Sequence, residues 1–309
     1  SPTLFPVAWA MSHPHAQAQA PQAVKIGLLT DMSSTFSDID GKHGVTAVQM
    51  AIDDYGGKVL GRPIELVAAD HQNKADIGTA RAREWIDTQQ VTALFTGPNS
   101  SVALGVNNVA RDKQRVHFNN AAASSALTNE QCSPYTVHYV KDTVAMARGT
   151  ATAVLASGEK SWYFLTADYA FGHALESDTG KVVRENGGTV LGAVRHPLNA
   201  PDLSSFLLQA QGSKARVLGL ANGGTDTLNS IKTAKQFGVD KRMKVVAMSI
   251  FTSDIHSLGL PAAEGLLYTT GWDWSLNDAT KAFGRKVMAK TGRMATEAQA
   301  AAESATISY

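Results

Sequence analysis

The sequence predicts an α/β protein made of two parallel-sheet lobes joined by a hinge. Three observations carry that prediction. Apolar runs such as VKIGLLTD (24–31), VTALFTG (91–97) and SWYFLTAD (161–168) are continuous rather than alternating and end in polar turns. That is the pattern of strands covered on both faces. Between them lie segments with apolar residues at helical spacing. Finally, the strand–helix rhythm runs once to about residue 142 and then starts again, and 309 residues exceed what one core usually spans. Strands separated by helices pair in parallel through right-handed crossovers, giving Rossmann-like sheets.

Taken in order, the strand 24–31 leads to HGVTAVQMAIDDYGG (43–57), with Val45, Val48, Met50 and Ile52 on its apolar positions and Gly56-Gly57 as a stop. IELVAAD (64–70) is a strand, 75–88 a helix, 91–97 a strand, 102–113 a helix and VHFNNA (116–121) a strand. After TVHYVKD (136–142) come a helix over 144–156, the strand 161–168, a helix over 173–186 and the strand TVLGAVRH (189–196). SSFLLQAQG (204–212) reads as helix, RVLGLAN (216–222) as strand, DTLNSIKTAKQFG (226–238) as helix and KVVAMSI (244–250) as strand. GLLYTTGWDW (265–274) reads as a strand followed by an aromatic turn, and helices are expected over 277–291 and from 296 onward. The last pattern is cut at Tyr309, so a further segment is expected beyond it.

The first twenty residues differ from the rest. LFPVAWAM (4–11) is a short apolar run followed by two overlapping small-x-small sites, Ala16-Gln17-Ala18 and Ala18-Gln19-Ala20. This is the pattern of the back half of a secretory signal peptide cleaved after Ala20, and it points to an exported, periplasmic, soluble mature chain. The expected organisation is a signal remnant over 1–20, a first lobe over 22–142, a second over 143–266, and a hinge crossing with return to the first lobe over 267–309.

Net charge is +1 and no basic run is long, which argues against nucleic acid and anionic membranes as partners. Hydrophobic residues at 44% and charged residues at 18% suffice for a large core, so a small molecule or a protein partner is left. The single cysteine, Cys132, excludes an internal disulfide and reads as a buried or half-buried spectator thiol.

Ligands of open parallel sheets collect beyond the carboxyl ends of the strands. After 91–97 stand Ser100 and Ser101, two hydroxyls at a helix start whose free amides attract an anion. After 116–121 stand Ala122, Ala123 and Ser124, small enough for a ligand to reach the backbone. After 161–168 comes the turn with Asp168, Tyr169, Phe171 and His173; after 216–222 come Gly223 and Gly224; after 244–250 comes Phe251. Hydroxyls, backbone donors and aromatics fit a small carboxylate-bearing molecule. No G-x-S-x-G, P-loop, H-E-x-x-H or paired CxxC motif occurs. His71 and His173 read as hydrogen-bonded loop residues, and no metal or cofactor is expected.

In IGLLTDMSS, GVTAVQMAIDDYGG, VLGRPIELVAAD, TGPNSS, NNAAASSALT, FLTADYAFG and AAEGLLYTT, in that order, the chain resembles the periplasmic solute-binding proteins of branched-chain amino-acid-type ABC importers over 24–309. The resemblance implies the type I periplasmic-binding-protein fold, in which two lobes joined by three crossing segments close over a solute. The crossings fall near Asp142, at 267–270, and in a segment beyond the chain given. It further implies that a solute carboxylate meets the hydroxyl and amides around Ser101 and the backbone at Ala121. Amino-acid binders place a threonine at Ala123, and Ser124 is the substitute here. Phe171 is the covering aromatic of the second lobe, Tyr169 shapes its turn, and Asn222 and Gly223 match the next strand end.

Amino-acid binders carry an acid near 249–252 to hold the ammonium group, where this chain has Ser-Ile-Phe-Thr with Asp254 nearby. A buried cation without a counter-charge is costly, so an aromatic or short organic acid is favoured over a branched-chain amino acid. The expected function is therefore delivery of that acid, by a monomer, to a cognate permease. A ligand-sensing receptor domain of the same fold is the second reading, and an α/β enzyme the last.

Overall fold

The computed structural model describes residues 22–309. The export segment expected over 1–20 lies outside the described residues.

The first sheet takes β1 (Val24–Thr30), β2 (Lys58–Val59), β3 (Arg62–Asp70), β4 (Val91–Thr96), β5 (Val116–Asn119) and β6 (Thr136–His138), in the order β2-β3-β1-β4-β5-β6. Every pairing is parallel except the short β2–β3 ribbon, which the sequence pattern does not announce. Helices α1 (Gly41–Tyr55), α2 (Ala75–Gln89) and α3 (Ser100–Lys113) connect its strands. Helix α1 stops at Gly56 in the left-handed region at φ 98°, where a side chain would be strained. A 3-10 turn, Ser125–Leu127, follows β5.

Helix α4 (Thr143–Ala156) opens the second unit, its first turn capped by Asp142, whose carboxylate accepts from Ala145 N at 2.9 Å. There β7 (Ser161–Ala167), β8 (Thr189–His196), β9 (Val217–Ala221) and β10 (Lys244–Ala247) pair in parallel in the order β10-β9-β7-β8. Helices α5 (Ala170–Glu185), α6 (Ser204–Gly212) and α7 (Thr225–Gln236) join them, followed by α8 (Thr252–Leu258) and α9 (Leu260–Ala263). Each sheet is covered on both faces. In the second, Trp162 and Phe164 pack with Val154 and Leu175 on one side, while Tyr163 and Leu165 pack with Leu207 and Leu218 on the other.

Helices α10 (Asp278–Thr291) and α11 (Glu297–Ser308) close the described chain. Ala302 and Ala305 of α11 are fully buried against Ile26, Leu28 and Val48 of the first unit. Thr296 Oγ1 donates to Ile39 O at 2.7 Å, tying the start of α11 to the start of α1.

Two expectations are corrected. The segment 265–270 is not a strand. No neighbouring strand offers its backbone a ladder among the described residues, so it packs through Leu266 and Tyr268 against the second core instead. Cys132 is exposed rather than buried, because it lies in the turn after the 3-10 segment, where its N–H bonds to Asn129 O at 3.1 Å.

Buried imidazoles give a pH signature. His117 is fully buried between Thr96 Oγ1 at 2.8 Å and Thr136 Oγ1 at 3.2 Å. Burial, helped by neighbouring His138, lowers its pKa from 6.5 to about 3. The unfolded chain therefore binds the extra proton first, and His117 withdraws stability as pH falls from about 6.5 toward 3. His117→Asn is expected to lose stability less steeply than the parent over that range. Parallel slopes in denaturant titrations at several pH values would remove His117 from that role.

Candidate functional site

Both sheets turn the carboxyl ends of their strands toward one cleft. From the first unit, the loop after β1 brings Phe36 and Ile39, the β4 turn brings Pro98, and the β5 turn brings Ala121. From the second come Met146, Tyr169, Phe171, Gly223, Ser249 and Phe251, with Ala123 between. Tyr169 sits between two rings, 6.2 Å from Phe36 and 6.0 Å from Phe171 by centroid, both tilted. Burial, with Asp226 adding to it, holds the Tyr169 phenol neutral by pushing its pKa well up. The walls leave about 20 Å³, the room of about one water. An organic solute is admitted only as the rings turn or the units part.

The loop that delivers Phe36 is built on one carboxylate. Asp31, fully buried, accepts from Ser34 N at 2.9 Å, Phe36 N at 2.8 Å and Asn73 Nδ2 at 2.6 Å. This fixes Thr35 and Phe36 where they meet the second unit: Thr225 N donates to Thr35 O at 3.2 Å. Gly224, at φ 58°, passes so close that a Cβ would overlap the Thr35 carbonyl oxygen and stand 2.9 Å from Phe36 Cδ1.

Of the residues singled out in the sequence, Ala121, Ala123, Tyr169, Phe171, Gly223 and Phe251 are brought together around this cavity. The others stand behind it or beside it. Ser100 is fully buried, its hydroxyl accepting from Ser124 N at 3.2 Å. Ser124 is 1% exposed and caps the 3-10 turn. Ser101 is half-buried on the first turn of α3, and Ala122 packs under Leu127. Asn222 belongs to a buried network with His196 at 3.0 Å, Ser230 at 3.0 Å and Thr227 at 2.8 Å. His173 pairs with Asp168 at 2.7 Å on the surface. His71 is in a loop but fully buried, and burial lowers its pKa to about 4.

Phe36, Ile39, Pro98, Met146 and Ser249 were not singled out. Phe36 follows the first strand, so the strand-end rule applied to 31–40 finds it. Met146 is on the core face of a helix, where nothing in its spacing marks it as part of a cleft.

The acid question also has a structural answer. Asp254, 2% exposed, is spent on capping α8, where it accepts from Phe251 N at 2.9 Å. Burial raises its pKa to about 7. No acidic side chain is among the residues lining the cavity. Among the described residues no cluster of three His, Cys, Asp or Glu could hold a metal, and no helix is long and apolar enough to cross a membrane. A larger hollow of about 520 Å³ lies on the other side of Lys141, whose ammonium is paired with Glu297 and stands 5.3 Å from the centre of the Phe251 ring.

Solved structures and sequence relatives share the fold. A periplasmic binding protein of Burkholderia mallei is 53% identical, covering 93% of this chain and 77% of its own, with a TM-score of 0.92. A branched-chain amino acid ABC transporter periplasmic ligand-binding protein of Burkholderia xenovorans is 38% identical over the same shares, with a TM-score of 0.77. A Leu/Ile/Val-binding protein homolog of Brucella melitensis is 26% identical over 258 residues, 79% of this chain. The chain spans 63% of the length of that curated relative. The sequence model of the periplasmic binding protein family matches residues 23–308, and with two parallel-sheet units facing an aromatic cleft the chain belongs to that family.

Proposed function

We propose that this chain is the extracytoplasmic solute-binding component of an ABC importer, holding a small organic acid between its two lobes for a membrane permease. The observation that carries the reading is the cleft wall: aromatic rings, small residues and backbone from both units, with no acid to balance an ammonium group. Binding by contacts on two lobes favours the closed state through differential affinity, and no bond need be made or broken. Rhodopseudomonas palustris proteins of the same fold hold benzoate and 4-hydroxybenzoate, at 20% and 23% identity. The carboxylate would take the free amides at the start of α3 and in the β5 turn, by Ser101 and Ala121. The aromatic rings would cover the body of the solute.

A thermal-shift series with benzoate, a short 2-oxo acid and leucine tests the solute class, because a ligand of the native state raises its melting temperature. Stabilisation by an acid is expected; stabilisation by leucine alone would reverse the assignment. Phe171→Ala is expected to weaken acid binding by about tenfold to a hundredfold through lost ring contact. It should also cost about 3 kcal/mol of stability, since Phe171 is 5% exposed in the second core. Calorimetry showing unaltered affinity would take Phe171 out of the site.

A further inference from the structure

Half of the unsatisfied buried polar atoms sit on residues one or two positions along the chain from the cleft wall. Ten buried side-chain polar atoms lack a hydrogen-bond partner among the described residues, and five of them belong to Thr35, Asp40, Asn120 and Thr225. Thr35, Asp40 and Asn120 are immediate chain neighbours of Phe36, Ile39 and Ala121, and Thr225 lies two residues from Gly223; all four of these neighbours line the cavity. A buried amide or hydroxyl without a partner is costly, so native structures satisfy such groups with protein, water or ligand.

Asn120 is the extreme case. It is fully buried, and neither Nδ2 nor Oδ1 has a partner. Its place follows from strand register. Thr96 pairs with Leu29 on one side and Asn119 on the other. Gly97 N bonds to Leu29 O at 2.8 Å, and Asn120 N to Thr96 O at 3.0 Å. One residue on, Thr30, Gly97 and Asn120 therefore stand side by side at the carboxyl edge of the sheet, with side-chain directions on one face. Gly97 leaves that face open for Asp40: a Cβ there would stand 2.8 Å from Asp40 Oδ2 and 2.5 Å from Thr30 Oγ1. Asp40 accepts from Thr30 at 2.7 Å through Oδ2, while its Oδ1 has no partner. Burial raises its carboxyl to about 6, against the Thr30 bond that lowers it.

We infer that the solute carries a hydroxyl in addition to its carboxylate, and that Asn120 is the residue that selects for it, with Asp40 beside it on the same face of the sheet. The unmet groups are chiefly neutral: two threonine hydroxyls and an amide that can both donate and accept. A hydroxyl, itself donor and acceptor, complements them, whereas a second carboxylate would be set against Asp40. The assignment rests on the organic-acid reading of the cleft.

The test is calorimetry of the full chain and of Asn120→Leu with benzoate and its 2-, 3- and 4-hydroxy isomers. Leucine has nearly the shape of asparagine and neither polar atom. The parent is expected to bind at least one hydroxylated isomer about tenfold or more tighter than benzoate. Asn120→Leu should keep its benzoate affinity and lose that preference, with Asn120→Ala as the substitute should the leucine variant fail to fold. Benzoate binding with no hydroxyl preference in the parent, or a preference that survives in the variant, overturns the role of Asn120 and leaves the organic-acid reading standing. Failure of every acid to bind the parent overturns both.

Discussion

Gly224→Val is expected to abolish tight solute binding while leaving each lobe folded. The residue sits at φ 58° and ψ −137°, a region in which a β-branched residue is strained by about 1–3 kcal/mol. The larger effect is between the lobes. The new Cβ would occupy the place of the Thr35 carbonyl oxygen and press on Phe36, and that loop cannot retreat, because Asp31 holds Ser34 and Phe36 by their backbone N–H groups. Closure would then lose the Thr225 N to Thr35 O bond along with the ring contact of Phe36 and Tyr169. A closed state destabilised by about 3 kcal/mol binds roughly a hundredfold more weakly. Calorimetry reads the affinity, and small-angle scattering with solute present should show the variant remaining extended. The neighbouring Gly223→Ala is the contrast: its Cβ would meet Phe36, Phe171 and Ser249 at 3.6–3.8 Å, ordinary contact distances, so closure survives. Equal affinity in Gly224→Val and the parent would show that the lobes do not meet at this point when solute is bound.

Gly172→Ala carries the largest expected loss of stability. Gly172 lies in the first turn of α5, and its backbone φ is not in the left-handed region, so conformational freedom is not the reason for glycine. The reason is approach. A Cβ would overlap the Ala167 carbonyl oxygen and stand 3.0 Å from that of Ala221. Both obstacles are backbone at the ends of paired strands, so relief requires α5 to lift from β7 and β9. That would uncover Phe171 and Leu175, which are 5% and 0% exposed. Overpacking of this kind costs about 1–3 kcal/mol, and more where backbone is the obstacle. The denaturation midpoint should fall with little change in slope. A midpoint matching the parent's would mean that the start of α5 is free to slide.

Much of the architecture was legible before any coordinates. Strands buried on both faces write themselves as unbroken apolar runs, and helices between them as periodic ones, because burial on each face is a local demand on residue type. What failed was what depends on a partner distant in sequence. The run 265–270 has the composition of a strand, yet a strand exists only where another offers a ladder. Cys132 has an apolar side chain, yet a turn with no covering element leaves it exposed.

The site divides in the same way. The rule that ligands gather beyond strand ends points to Ala121, Ala123, Tyr169, Phe171, Gly223 and Phe251, and these six line one cavity. The same rule placed Ser100, Ser124 and Asn222 there, and the structure gives their polar groups to one another or to neighbouring side chains. A sequence shows that a hydroxyl or amide is near a strand end; only packing shows whether its hydrogen bonds are already spent. Asp254 illustrates this, being close in sequence to where an ammonium partner is needed and already used by the backbone of α8.

The sequence by itself determined the two-unit α/β plan, the family and the strand ends that meet the cleft, because these follow from short-range pattern and from motif order. Only the tertiary structure decided which atoms are left over. It set Gly224 against Thr35, put Met146 into the wall, and left Asn120 buried with both polar atoms unpaired. Hydrogen-bond satisfaction and steric clearance are properties of the assembled surfaces, and no single segment contains them.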